Sequence, residues 1–422
     1  MKEIKMDQAW KNQAASLVEV QKFGGDLEKK VREILEWSTG KVIYDHDNNY
    51  KIQVDCAFPN ITNPEVIASV TYTKPDTRGH SNENKLQLKV GELALLKYAH
   101  PDIKVILVIG GSKDSWLPYV LKAFQYFYDE TVFLWDDTGI ERLNEIRRNP
   151  NSVKLRHTDF WNTLRTDWRS INLQSTDIKP PKGLVRYQIA DELRNQSPRV
   201  HHPHLITNEI ARACMHSAKI NEGKEWDNFV SGNWGAIEMS RNFFNPVEAL
   251  VEISLKSANI KYQGGIAHDV EVRSLLHDLG LLETSVSEDF VAYSKKYNFP
   301  VYIQCKASGG GREQHGKNIQ NRSKEQVTRG LIYRCRLKNN ELKALPKDFI
   351  WISILDGDWG VTASSPLKYI HMLQLAGYDK LLGASELLTN DLGAKNYPLN
   401  PLTRFLIDDL DCELNDISKS IS

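Results

Sequence analysis

The feature that most constrains this chain is a series of elements that occurs twice. Near the N-terminus, KIQVDCAFP (51–59) and VIASVTYT (66–73) are β-rich runs parted by a turn rich in Pro and Asn. A polar loop (RGHSNENK, 78–85) follows. Then comes a helical stripe through Leu86, Val90 and Leu93, and then the apolar run VILVIGG (105–111), with Trp116 behind it. Near the C-terminus the order returns. GGIAHDVEV (264–272) and VYIQCKAS (301–308) precede a second Gly/His/Asn loop, GGGREQHGKN (309–318). A helix over 321–334 and FIWISILDG (349–357), with Trp359 behind it, complete the series. Unbroken apolar runs suit strands covered on both faces, and helices between them suit parallel crossovers. The expectation is therefore an α/β unit present twice.

At roughly 150 residues per domain, 422 residues allow two or three domains. The boundaries expected are 1–150 for the first unit, 151–240 for a connecting or recognition region, and 241–422 for the second unit. The middle region is rich in Arg, Trp, Asn and His and carries few strand signals. Within the second unit, Asn245-Pro246 opens a helix to about Ala258, with Asn as cap and Pro at the first helical position. The Gly264-Gly265 pair reads as a turn, and 272–282 as a helix. After Ile407 the acids Asp408, Asp409, Asp411, Glu413 and Asp416 outnumber Lys419, so the tail reads as a solvated end.

Charge narrows the partners. Lys+Arg and Asp+Glu are 54 each, which excludes a globally basic nucleic-acid binder but not a local basic patch. One exists. From Gly309 to Lys338 the sequence has eight Lys or Arg against Glu313 and Glu325. Cysteines at 56, 214, 305, 335 and 412 form no CxxC pair, which argues for a reducing compartment. The N-terminus is polar and no apolar run approaches the length of a membrane span. A soluble cytoplasmic protein with no membrane partner is expected. Neither GxxxxGK[ST] nor GxGxxG is present, which argues against a nucleotide-phosphate enzyme.

The chemistry concentrates at Val301–Arg322. Alternation along a strand puts Tyr302, Gln304 and Lys306 on one face and Val301, Ile303 and Cys305 on the other. Gln and Lys two apart on one face have no packing use, and an unpaired buried Lys is costly. Asp269 lies upstream of Gln304, just after the Gly-Gly pair. An acid, then an oxygen ligand, then an ammonium is a layout for metal-assisted phosphodiester cleavage. Carboxylate and carbonyl oxygens suit Mg²⁺, and the lysine neutralises a phosphate oxygen or polarises the attacking water.

On Asp269 and Gln304-Cys305-Lys306, the chain resembles the PD-(D/E)XK nuclease superfamily, to which many type II restriction endonucleases belong. Gln304 stands where that family usually has Glu or Asp, so the motif is a QxK variant. The resemblance implies a restriction-endonuclease-like mixed sheet flanked by helices. It implies Mg²⁺ held by Asp269, Gln304 and the Cys305 backbone carbonyl, with Lys306 assisting the attack. It also implies a Glu on the first core helix, Glu248 or Glu252, with Glu252 preferred for its nearness to the Gly-Gly pair. The loop and helix that follow offer Arg312, His315, Lys317, Asn318, Asn321 and Arg322 to phosphate or base edges.

The first unit has Asp55 as the matching acid but Ser69-Val70-Thr71 at the second position, so it reads as a copy that has lost its catalytic set. The function expected is Mg²⁺-dependent, site-specific cleavage of double-stranded DNA. One centre per chain then implies a homodimer on a two-fold site, and a methyltransferase acting on the same site. Two other expectations stand beside it: a DNA- or RNA-binding protein made of two inactive nuclease folds, and a repair nuclease without sequence preference.

Overall fold

The computed structural model describes residues 24–45, 49–73, 80–135, 137–167, 246–267, 287–307, 327–338, 349–356, 365–388, 391–392 and 398–415. Most of the expected middle region and the expected helix at 272–282 lie outside them. The chain divides into two compact units.

The first unit opens with α1 (24–35), then three antiparallel strands: β1 (Ser38–Asp45), β2 (Tyr50–Phe58) and β3 (Val66–Tyr72). Helix α2 (His80–Ala99) crosses to β4 (Lys104–Gly110), and α3 (Pro118–Phe127) crosses to β5 (Glu130–Phe133). Both of these strands run parallel to their neighbours, giving a five-stranded sheet in the order β1-β2-β3-β4-β5. β4 is buried along almost its whole length, as a central parallel strand must be. Val31 and Leu35 of α1 share a core with Cys56, Val70, Ile106 and Val108, and with Leu143 and Ile146 of α4 (Asp137–Arg148).

This unit extends past residue 150. Helix α5 (Thr158–Asp167) packs on α2. Its Trp161 is 2% exposed and lies 6.3 Å, ring to ring, from Phe127. Trp161 belongs to the Arg/Trp-rich stretch that composition alone assigns to the linking region.

The second unit repeats the plan. Helix α6 (Pro246–Ser257) leads into antiparallel β6 (Gln263–Ala267), β7 (Ser287–Ser294) and β8 (Phe299–Ala307). Then α7 (Val327–Lys338), β9 (Ile350–Asp356), α8 (Ser365–Leu375) and β10 (Lys380–Gly383) follow. The last two strands are again parallel, and the order β10-β9-β8-β7-β6 mirrors the first sheet. The α/β, mixed-sheet expectation therefore holds at the level of the two sheets and their flanking helices.

The register makes the repeat residue-specific. Val66 pairs with Lys104 as Val301 pairs with Ile350, so Ser69-Val70-Thr71 and Gln304-Cys305-Lys306 occupy equivalent positions. A second match lies at the entry to the last strand. Asp129 Oδ2 accepts the Val105 N–H at 2.7 Å, and Asp379 Oδ2 accepts the Trp351 N–H at 2.8 Å. Each acid also binds a cation from the crossover helix: Lys97 of α2 at 2.7 Å and Arg334 of α7 at 3.2 Å. The first pair is fully buried, with side chains 1% and 0% exposed, while the second is 25% and 39% exposed.

Two expectations change here. Gly264-Gly265 is not a turn: Gly264 pairs with Phe290 inside β6. The stretch following Ile407 is not a solvated end as far as Asn415. Leu406, Leu410 and Cys412 are buried in the second core, and Ser294 and Ile260 form bridges to Cys412 and Leu414. The acids between them point outward to lysines: Asp411 to Lys295 at 3.2 Å and Glu413 to Lys261 at 2.9 Å. Among the described residues, no helix is long and apolar enough to cross a membrane.

Candidate functional site

Strand β8 separates its faces as alternation requires. Val301, Ile303 and Cys305 share a core with Val251 and Leu255 of α6. Gln304 is 2% exposed, and its Oε1 accepts a hydrogen bond from the Tyr378 hydroxyl at 3.0 Å. The Tyr378 ring stacks on Trp351 at 4.1 Å, and Tyr333 of α7 stacks on Trp351 at 5.6 Å. Gln304 is thus a buried amide whose desolvation is offset by a tyrosine hydroxyl. Lys306, two residues on, is half-buried at the end of the strand.

The carboxylate beside this motif is Asp289. Pairing of β7 with β8 runs from Ser294↔Phe299 to Phe290↔Ile303. Asp289 is the next residue, and its Oδ2 accepts the backbone N–H of Cys305 at 2.6 Å. That contact pins an acid to the backbone between Gln304 and Lys306.

Helix α6 supplies a second acid, Glu248, in its first turn. Burial pushes the Cys305 thiol up. Asp289 and then Glu248 push it further, and Lys306 opposes them. Two acids and one ammonium therefore act electrostatically on this one residue.

Glu252, the helix acid preferred on sequence, is engaged elsewhere. Its Oε1 accepts from Lys256 Nζ at 2.9 Å and from the Tyr262 hydroxyl at 2.9 Å. The Lys256 bond, opposed by burial and helped by Tyr262, holds its carboxyl below the usual range. The cause is local: Lys256 stands one turn on, at the spacing where helical ion pairs form.

The first unit holds the same acids in the same places. Asp55 Oδ2 accepts the Val70 N–H at 2.7 Å, across 15 residues where Asp289 and Cys305 are separated by 16. The structural counterpart of Asp55 is therefore Asp289, and not Asp269 as the sequence pairing had it. Glu28 of α1 corresponds to Glu248, since Val31 and Leu35 pack in their core as Val251 and Leu255 do in theirs. Burial, then Asp55, raises the Glu28 carboxyl, against Arg32 and Lys89.

Asp269, Arg312, His315, Lys317, Asn318, Asn321 and Arg322 lie outside the described residues. The structure brings Gln304, the Cys305 backbone and Lys306 together with Asp289 and Glu248. Sequence reasoning missed Asp289 and Tyr378. A signal for the first was present: in both units an acid precedes an apolar triplet, Cys56-Ala57-Phe58 or Phe290-Val291-Ala292, one strand ahead of the motif. For the second it was the Tyr-Asp pair before the last strand, Tyr128-Asp129 and Tyr378-Asp379.

Among the described residues, no group of three or more His, Cys, Asp or Glu side chains is placed to hold a metal. Mg²⁺ needs less than such a cage. It keeps several waters and takes one or two carboxylates together with substrate phosphate. Two carboxylates and a strand-end carbonyl fit that donor set. No family model, no curated protein and no solved structure matches this chain.

Proposed function

We propose that the second unit is a Mg²⁺-dependent phosphodiester hydrolase acting at specific sites in double-stranded DNA, of the restriction-endonuclease type. The observation that carries this reading is the Asp289–Cys305 contact, which fixes a carboxylate on the backbone next to Lys306. In this reading Asp289, Glu248 and the Cys305 carbonyl hold the cation. Lys306 holds a phosphate oxygen or the attacking water. Gln304 is a buried support for the strand rather than an open ligand. Mg²⁺, when bound, lowers the pKa of a bound water and offsets charge on the phosphate. The basic stretch after Ala307 supplies phosphate contacts, with Arg312, Lys317 and Arg322 as first candidates. Asp269 keeps its place as a further ligand candidate. A homodimer on a two-fold site and a methyltransferase that protects that site complete the proposal.

Incubation of mixed phage DNA with the full chain and Mg²⁺ tests it. Discrete fragments are expected. Asp289→Asn and Lys306→Ala should each lower cleavage about 100-fold or more, since each removes charge aimed at the reacting phosphate. The rival reading, a binding protein without catalysis, is favoured by the Tyr378–Gln304 bond, which occupies the oxygen that a carboxylate would offer. DNA retained on the protein with no cleavage of any substrate would establish the rival. Fragments without fixed ends would establish a nonspecific nuclease.

A further inference from the structure

The sequence marks the first unit as the idle copy, because Thr71 stands where the second unit has Lys306. The structure returns an ammonium to that place from another element. Lys89 of α2 donates to Ser69 Oγ at 2.8 Å, and Ser69 is the register equivalent of Gln304. Its side chain is 16% exposed and also meets Glu92 at 3.5 Å. The Asp55 carboxylate is held on the adjacent residue through Val70 N–H, and among the described residues it takes no other hydrogen bond. The Glu28 side chain is 39% exposed, with Arg32 at 3.2 Å as its ion-pair partner. Glu28 stands one turn before Val31, which packs in one core with Cys56 and Val70, the chain neighbours of Asp55 and Ser69.

We infer that the first unit holds a second centre for a divalent cation and a phosphate oxygen, with Glu28 and Asp55 toward the cation and Ser69 and Lys89 toward the phosphate. The lysine has changed its element and kept its neighbourhood. In the second unit it rides on the strand, two residues after Gln304. In the first it reaches down from the crossover helix to the equivalent strand position. The ligand class, a cation with phosphate, takes its phosphodiester identity from the proposed function, while the site itself stands on first-unit residues alone.

Mn²⁺ is the probe, with free ion counted by electron paramagnetic resonance in titrations of the full chain. The wild type should take two ions per chain, Asp55→Asn one, Asp289→Asn one, and the double variant none. Asn keeps an oxygen for the Val70 or Cys305 N–H, so both folds stay intact. Glu28→Gln, which serves no backbone group, should weaken the first-unit ion at least about tenfold. In the Asp289→Asn background, Lys89→Met should weaken inorganic phosphate binding to the Mn²⁺-loaded chain at least about tenfold. Two ions retained by both Asp55→Asn and Glu28→Gln overturn the inference. So does a single ion lost only in Asp289→Asn, which leaves the proposed function standing. A single ion lost only in Asp55→Asn supports the inference and removes the proposed function instead.

Discussion

The two units place the same acids alike and differ in how they fasten the crossover helix to the last strand. In the first, Lys97 and Asp129 form a buried pair, and Lys97 also donates to the Ile103 carbonyl at 2.7 Å. Asp129 takes a third group, the Arg156 N–H, at 2.7 Å. In the second, Arg334 bridges Asp379 and the Gly377 carbonyl closer to solvent. Gly377 has φ +101, and a Cβ there would strike the Arg334 side chain, so the turn needs glycine twice over. One topology thus tolerates two fastenings. The buried one depends on desolvated charge, and the exposed one on backbone shape.

That contrast sets the largest expected effect. Lys97→Met leaves Asp129 charged and unpaired in the core, and should cost about 3–5 kcal/mol in urea melts. Arg334→Met should cost roughly 1 kcal/mol or less, because its pair is partly solvated. Equal losses would break the comparison. Tyr378→Phe comes next. It strips the donor from the buried Gln304 oxygen and should cost about 1–3 kcal/mol, lowering the second unit's melting transition and leaving the first unit's unchanged. Glu252→Gln should cost under about 1 kcal/mol and leave DNA cleavage unchanged, whereas Glu248→Gln should lower cleavage.

The smallest effect is a titration. Lys85 donates to the Tyr72 carbonyl and lies 5.6 Å from the Trp116 ring centre. Burial, then Lys89, brings its pKa down from 10.5 to about 8. Between those values the unfolded chain binds more protons, so the first unit gains stability as pH rises through that window. Amine labelling of Lys85 across a pH series, read by mass spectrometry and scaled to its own plateau, should show a midpoint near 8. A midpoint near 10.5 would contradict the shift.

Legibility from sequence followed the kind of strand. Continuous apolar runs, at 66–72 and 301–307 and at 104–110 and 350–356, announced themselves because a strand covered on both faces leaves little room for polar residues. The edge strands did not. β1 begins Ser-Thr-Gly and β6 begins Gln-Gly-Gly, and glycine at an edge reads as a turn until its pairing partner is known. Taking the β6 stretch for the second strand and missing β7 shifted the reading by one strand. That shift put Asp269 opposite Asp55 and hid Asp289 in a run, Ser-Glu-Asp-Phe, that looks like a loop. Glu248 and Glu252 sit one helical turn apart, and no pattern in the sequence separates them; Tyr262 and Lys256 do so in space. Gln304 was legible as an oddity, but its partner Tyr378 is 74 residues away.

An acid clasped to the neighbouring strand has two employers. One carboxylate oxygen stitches the main chain just past the last paired residues of the hairpin. Folding alone would preserve such a residue, so the contact bears on chemistry only together with neighbours that serve no backbone group. The informative residues are those that hold no backbone group, Glu28 in one half and Lys306 in the other, because selection for shape would let them go first.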